Sequence, residues 1–303
     1  MVRIQRFAVL LVANVVAMGC GGVDKRTNIA VIPSVAPQRI VSLAPSLTET
    51  LFALGLGDRV AGVTRYCAYP PEVRDLPKIG GHLDPNFEAI VALEPDLVLA
   101  IPSSHENRMR LEALGVRVVE IDQHDVAAVL ESVSTVADVC GVPERGESLR
   151  TEIDKHLTAV EQTVAGAVRP RTVVVVGHQT GEGRVRSVWA AGPDTFYDGV
   201  LQIAGGVNAV ESGLARYPEL SREGLASIDP EVVIDVIAGL EKRDLTPDEV
   251  REGWMGLIEL RAVRGERINV LIGDQMVVPG PRLPEMVEAV ARALHPTLDW
   301  VPR

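Results

Sequence analysis

The chain has 303 residues, with 30 Lys and Arg against 41 Asp and Glu, a formal charge of −11, and only 4% aromatic residues. That length exceeds what one ordinary core organises and points to two lobes of comparable size, and the acidic balance disfavours a nucleic-acid partner. Its three cysteines show no CxxC or clustered Cys/His spacing, which sets a structural zinc site aside.

In chain order, Arg3 and Arg6 precede an apolar run, Phe7 to Val16, that is too short to span a bilayer. The following Ala17-Met18-Gly19-Cys20 resembles a bacterial lipobox, with Ala17 where a larger aliphatic residue is usual. Residues 1–19 are therefore expected to be a lipoprotein signal peptide, removed to leave a lipid on Cys20. An ordinary signal peptide is the alternative. Either reading places the mature chain outside the cytoplasm, and the first attaches it to a membrane. Residues 20–38 are polar and carry Gly and Pro, as a flexible tether does. Cys67 and Cys140 remain; in an oxidising compartment they pair or stay free, and the sequence supports both.

From Arg39, β-branched runs alternate with helical patterns. The pattern predicts strands at 39–43, 60–64, 96–101 and 117–121, with helices from Pro45 to Gly55, 87–93, 106–114 and 126–139. Ser46 and Glu49 have capping-box spacing in the first helix. Such alternation gives an α/β lobe, residues 39–142, with a mostly parallel sheet covered on both faces. Leu149, Ile153, Leu157, Val160 and Val164 recur at helical spacing within residues 143–168, predicting one linker helix of about 20 residues and roughly 30 Å. The alternation restarts in a second α/β lobe, 169–303, with strands at 172–176, 231–237 and 267–272 and a final helix at 284–294.

An internal repeat ties the lobes together. The segment Phe87 to Leu99 recurs as Arg222 to Ile234, so that Glu88 corresponds to Glu223 at an offset of 135 residues. Each copy starts a helix, breaks at an acid-Pro pair and enters a buried strand. Two lobes of one topology joined by a strut leave a cleft between them, a preferred place for a ligand.

The run Arg39 to Gly55, the Tyr69-Pro70-Pro71-Glu72 turn, Ile79-Gly80-Gly81 and the two repeat copies resemble the vitamin B12 and iron-chelate (siderophore, heme) periplasmic binding proteins, over nearly all of residues 39–295. The resemblance implies two Rossmann-like lobes rigidly linked by one long α-helix, with a ligand in the interlobe cleft. It also implies partners, the permease and ATPase subunits of an ABC importer, with Glu88 and Glu223 meeting arginines on the permease. On helix energetics alone, each glutamate is merely favourable to the dipole of its own helix, by about 0.3–1 kcal/mol.

By the same resemblance, Tyr66 falls where B12-binding relatives contact the corrin, His82 where they carry an aromatic residue, Trp189 in a segment that packs on the corrinoid, and Asp274 near the far side of the ligand. Tyr66 and Trp189 also read as core residues with a polar tip, and His82 as an axial metal ligand, an amide partner or a loop residue. Ser103 lies in a polar loop with Ser104 and His105. Arg282 either meets ligand carboxylates or caps the last helix. The expected cargo is cobalamin or another corrinoid, ahead of a ferric siderophore, for which Arg65, Arg184, Arg186, Arg216 and Arg282 supply charge, and ahead of heme. No intrinsic cofactor is expected.

A metal-dependent enzyme on a doubly wound fold is the rival class. Gly181-Glu182-Gly183 lacks the third glycine of a dinucleotide fingerprint, neither a Walker A run nor a Gly-x-Ser-x-Gly elbow occurs, and His178 with Asp194 is an easily invented pair. The reading is a binding protein without enzymatic activity.

Overall fold

A computed structural model describes residues 36–102, 105–181, 183–213, 215–237 and 246–300. The signal peptide, Cys20, most of the tether, Ser103 and Ser104 lie outside the described residues.

The first lobe carries β1 (Ile40–Ser42), α1 (Pro45–Ala53), β2 (Val60–Val63), α2 (Phe87–Ala92), β3 (Leu97–Ala100), α3 (His105–Ala113), β4 (Val118–Glu120) and α4 (Val126–Val139). Its sheet has the order β2-β1-β3-β4, every pair parallel. The central strands are apolar without alternation because each feeds two cores. Ile40, Leu97 and Leu99 pack with Leu47 and Leu51 of α1 and Val136 of α4, while Val41 and Val98 pack with Ile90 of α2 and Leu111 of α3.

Helix α5 (Pro143–Val164) spans 22 residues, about 33 Å. Its buried stripe, Ile153, Leu157, Val160 and Val164, shares one core with Val129 and Val133 of α4 and with residues of the second lobe. The strut is thus packed along its length rather than suspended.

The second lobe contains β5 (Arg171–Gly181), β6 (Arg184–Ala190), α6 (Phe196–Ile203), β7 (Val207–Asn208), β8 (Glu219–Ser221), α7 (Arg222–Ile228), β9 (Val232–Ile237), α8 (Pro247–Trp254), α9 (Arg261–Arg264), β10 (Ile268–Ile272) and α10 (Leu283–Leu294). Strands β7, β5, β9 and β10 are parallel neighbours in the order of the first sheet. The expectation of one topology needs a correction beyond Val175. There β5 continues into an antiparallel hairpin with β6, which pairs in turn with β8. This hairpin confines β7 to the first two residues of β5. Residues 177–189 mix polar and apolar side chains, as a strand wetted on one face does, so a search for wholly apolar strands stops at Val176. Of the glycine pair set aside as a dinucleotide fingerprint, Gly181 ends β5 and Gly183 directly precedes β6 with φ +73°.

The sequence repeat is also an atomic one. The Asp96 carboxylate accepts the backbone N–H of Gln38 (2.7 Å) and Arg39 (3.1 Å), and Glu231 accepts that of Arg171 (2.8 Å). The Arg39 guanidinium donates to Leu93 O and that of Arg171 to Ile228 O. Glu94 and Asp229, the acids before the prolines, both take positive φ.

One further expectation changes. Pro45 occupies the first turn of α1 and its N-cap, Ala44, makes no side-chain cap, so Ser46 and Glu49 form no capping box. Proline preset for the first helical position shifts the helix start and frees both side chains for other partners. The His178 ring lies 3.7 Å from the Asp235 carboxylate. Cys67 and Cys140 are buried free thiols. Burial pushes the Cys140 thiol up to about 11.

Candidate ligand cleft between the lobes

The first lobe faces the second through the loops that leave the carboxyl ends of its parallel strands, where open α/β sheets place ligands. Ala44, Pro45 and Ser46 follow β1, Ile101 and Pro102 follow β3, and Asp122, Gln123 and His124 follow β4. Arg216 and the segment Val277 to Pro279 close the space from the second lobe, leaving a cleft of about 430 Å³.

Hydrogen bonds hold both walls. Ser46 Oγ donates to Gln123 Oε1 (2.5 Å), Gln123 Nε2 to Ser132 Oγ (2.9 Å) and Ser132 Oγ to Val129 O (2.6 Å), a buried chain that sets the Gln123 amide in the wall. The His124 ring sits between two carboxylates, Nδ1 at 2.7 Å from Asp122 and Nε2 at 3.1 Å from Asp125. Asp125 also caps α4 by accepting Ala128 N–H at 2.7 Å. Opposite, Arg216 donates to Asp194 O through Nε (3.2 Å) and Nη2 (2.8 Å). The buried Tyr197 hydroxyl donates to Met276 O (3.0 Å) and fixes the start of the Val277–Pro279 wall. The cleft therefore offers apolar proline, isoleucine and valine faces with polar groups on both walls, Asp122, Gln123 and His124 from the first lobe and Arg216 from the second. Such a surface suits a flat, largely apolar molecule bearing polar groups at its edge.

None of the sequence candidates Tyr66, His82, Trp189, Asp274 and Arg282 is among the residues that line this cleft. Tyr66 is 61% exposed in the loop after β2. Its ring lies 4.9 Å from the Arg65 guanidinium, which also binds Asp84. His82 is half-buried and its buried Nδ1 has no hydrogen-bond partner; burial lowers its pKa, against an upward pull from Glu120. Trp189, 37% exposed on β6, lies beside Gly177. Asp274 follows Gly273 (φ +131°) and opens the short turn that leads into the Val277–Pro279 wall. The Arg282 guanidinium meets a protein carboxylate, that of Glu49. Glu88 and Glu223 are exposed in the first turns of α2 and α7. Ser221 Oγ donates to Glu223 at 2.7 Å, and this bond lowers the Glu223 pKa.

Sequence reasoning missed Gln123 and His124 as wall residues. The loop after β4 is a strand end of the kind at which open α/β sheets place ligands, and that is the signal that could have found them. Among the described residues, no group of three or more His, Cys, Asp and Glu is placed to hold a metal ion, and no helix is long and apolar enough to cross a membrane.

Two α/β lobes on a packed strut, with a cleft walled by strand-end loops, define a two-lobed solute-binding protein. The periplasmic binding protein family matches residues 40–271, and the chain belongs to it. Its function is binding rather than catalysis. The chain is 27% identical over 321 residues to the uncharacterized ABC transporter substrate-binding lipoprotein YvrC of Bacillus subtilis (strain 168), covering 96% of both chains. Among solved structures it resembles a periplasmic heme-binding protein from Pseudomonas aeruginosa (TM-score 0.73, 28% identity, 87% of this chain and 94% of that one). It also resembles the periplasmic vitamin B12-binding protein BtuF of Vibrio cholerae (TM-score 0.72, 25% identity, 86% and 97%).

Proposed function

We propose that this protein is the substrate-binding component of an ABC importer, taking up a metal chelate, a corrinoid first among them, in the cleft between its lobes. The observation that carries the reading is the cleft itself: apolar faces from both lobes, with Gln123 and His124 from one lobe and Arg216 from the other as polar groups. Relatives named for vitamin B12 and for heme support the same class of flat, metal-bearing cargo. Tyr66, His82, Trp189 and Asp274 are the candidates for contacts beyond the cleft wall, with Ser103 beside them in sequence terms.

Delivery rests on the repeat. Glu88 and Glu223, in equivalent first turns of the two lobes, form a matched pair of exposed charges for a permease surface, where such pairs govern orientation and encounter. Residues 1–19 as an export signal and a lipid on Cys20 would hold the protein outside the cytoplasm next to that permease.

Heme is the second reading. Burial lowers the His82 pKa and its buried Nδ1 has no hydrogen-bond partner, and both favour the imidazole form that binds iron. Titration of purified protein with cyanocobalamin, hemin and a ferric hydroxamate siderophore, followed by gel filtration and absorbance, separates these readings. One-to-one retention of the corrin spectrum supports the first, retention of hemin alone moves the assignment to heme, and retention of none of the three rejects the proposal.

A further inference from the structure

The two lobes meet in one buried ion pair. Glu49 of α1 and Arg282, which immediately precedes α10, are 233 residues apart in sequence. The guanidinium donates to both carboxylate oxygens, Nε to Oε2 at 2.8 Å and Nη2 to Oε1. Side-chain exposure is 3% for Glu49 and 13% for Arg282, so neither charge has water as a ready substitute for its partner. The other face of the same guanidinium covers the Tyr69 ring, 4.0 Å from its centroid. Tyr69 belongs to the loop after β2 that also carries Tyr66. Nearby, the chain at Gly280 runs against Ser46, the residue after Pro45 in the cleft wall.

We propose that Glu49, Arg282 and Tyr69 form an interlobe latch that sets the width of the cleft and positions the Tyr66–Tyr69 loop at its edge. A two-pronged guanidinium–carboxylate contact fixes both distance and orientation, unlike a point-charge pair. Separating the lobes would break both of these hydrogen bonds and the ring contact together, so the pair resists opening more strongly than a single exposed contact does. Glu49 and Arg282 act through lobe geometry and are positioning residues.

Spin labels at exposed Glu106 and Glu252, one per lobe, report the interlobe distance, and dissociation of hemin or cyanocobalamin reports retention. The distance readout stands alone, whereas the dissociation readout rests on the proposed function. In Glu49→Gln the distance distribution is expected to broaden, and whichever probe the wild type retains should leave about tenfold faster. A pair that only adds stability would lower Tm and leave the distance distribution as it was, which overturns the latch. If Glu49→Gln does not fold, Tyr69→Ala decides, because it strands no buried charge: broadening supports the latch and an unchanged distribution overturns it. Broadening in a protein whose wild type retains neither probe upholds the latch while counting against the chelate reading.

Discussion

Asp96 and Glu231 do the same work in the two lobes, each carboxylate accepting the backbone N–H at the entry to its lobe's central strand, β1 in one case and β5 in the other. The start of a central strand, whose N–H would otherwise rely on water, is tied to the residue before β3 or β9. Asp96→Asn and Glu231→Gln should each cost about 1 kcal/mol, toward the lower end for charge-assisted bonds because Asp96 is exposed and Glu231 only half-buried. The two costs should add, since the sites lie in different lobes and share no partner. Urea unfolding of the single and double variants measures this, and strong non-additivity would show that the lobes' entries are coupled.

Glu88 and Glu223 lie on exposed first turns, so removing them disturbs no core. Glu88→Ala with Glu223→Ala should leave chelate affinity of the purified protein within about twofold while abolishing uptake by cells that carry the cognate importer. A loss of affinity in the double variant would move these residues from docking to the ligand.

Burial holds the Glu49 carboxyl above the usual carboxylate range, with Asp274 and Glu285 pushing the same way and Arg282 opposing them. A raised folded-state pKa means that the folded protein binds this proton more tightly than the unfolded chain, whose value is about 4.3. The stability contributed by Glu49 is thus fully present below that value and is lost as pH rises through the folded-state pKa. The stability of wild type relative to Glu49→Gln should therefore decline as pH rises from about 4 through the folded-state pKa, measured by urea unfolding at each pH. Asp229, whose carboxyl the Arg261 backbone N–H holds below the usual range, contributes in the opposite sense and loses its stabilisation on acidification.

Trp254 is fully buried on α8, and its indole N–H donates to the equally buried Asp235 carboxylate at 2.8 Å. The other Asp235 oxygen has no hydrogen-bond partner, so this one bond does much to make the carboxylate tolerable in the core. Trp254→Phe should cost about 3–4 kcal/mol, combining lost packing with an unpaired buried acid. Asp235→Asn in the same background should recover part of it. No recovery would mean that packing alone accounts for the loss.

Strand and helix identities were legible because burial on two faces leaves a local mark. An unbroken β-branched run has no reason to form in a solvated segment, and here Thr172 to Val176 announces β5 while the stripe from Leu149 to Val164 announces α5. The repeat of Glu88 at Glu223 was visible for the same reason, since helix start, acid-Pro break and strand entry are all short-range requirements. The hairpin of β5 with β6 was less so, because its wetted face dilutes the apolar signal.

The cleft belongs to the tertiary structure. Gln123 and His124 become neighbours of Arg216 and Pro279 only when two lobes face each other, and no local spacing records that. Glu49 reads in sequence as half of a capping box and Arg282 as a ligand contact or helix cap; both choices treat a side chain as serving its own segment. Packing joins the two, because a carboxylate buried on α1 needs a partner with matching geometry, and the guanidinium that supplies it comes from 233 residues away.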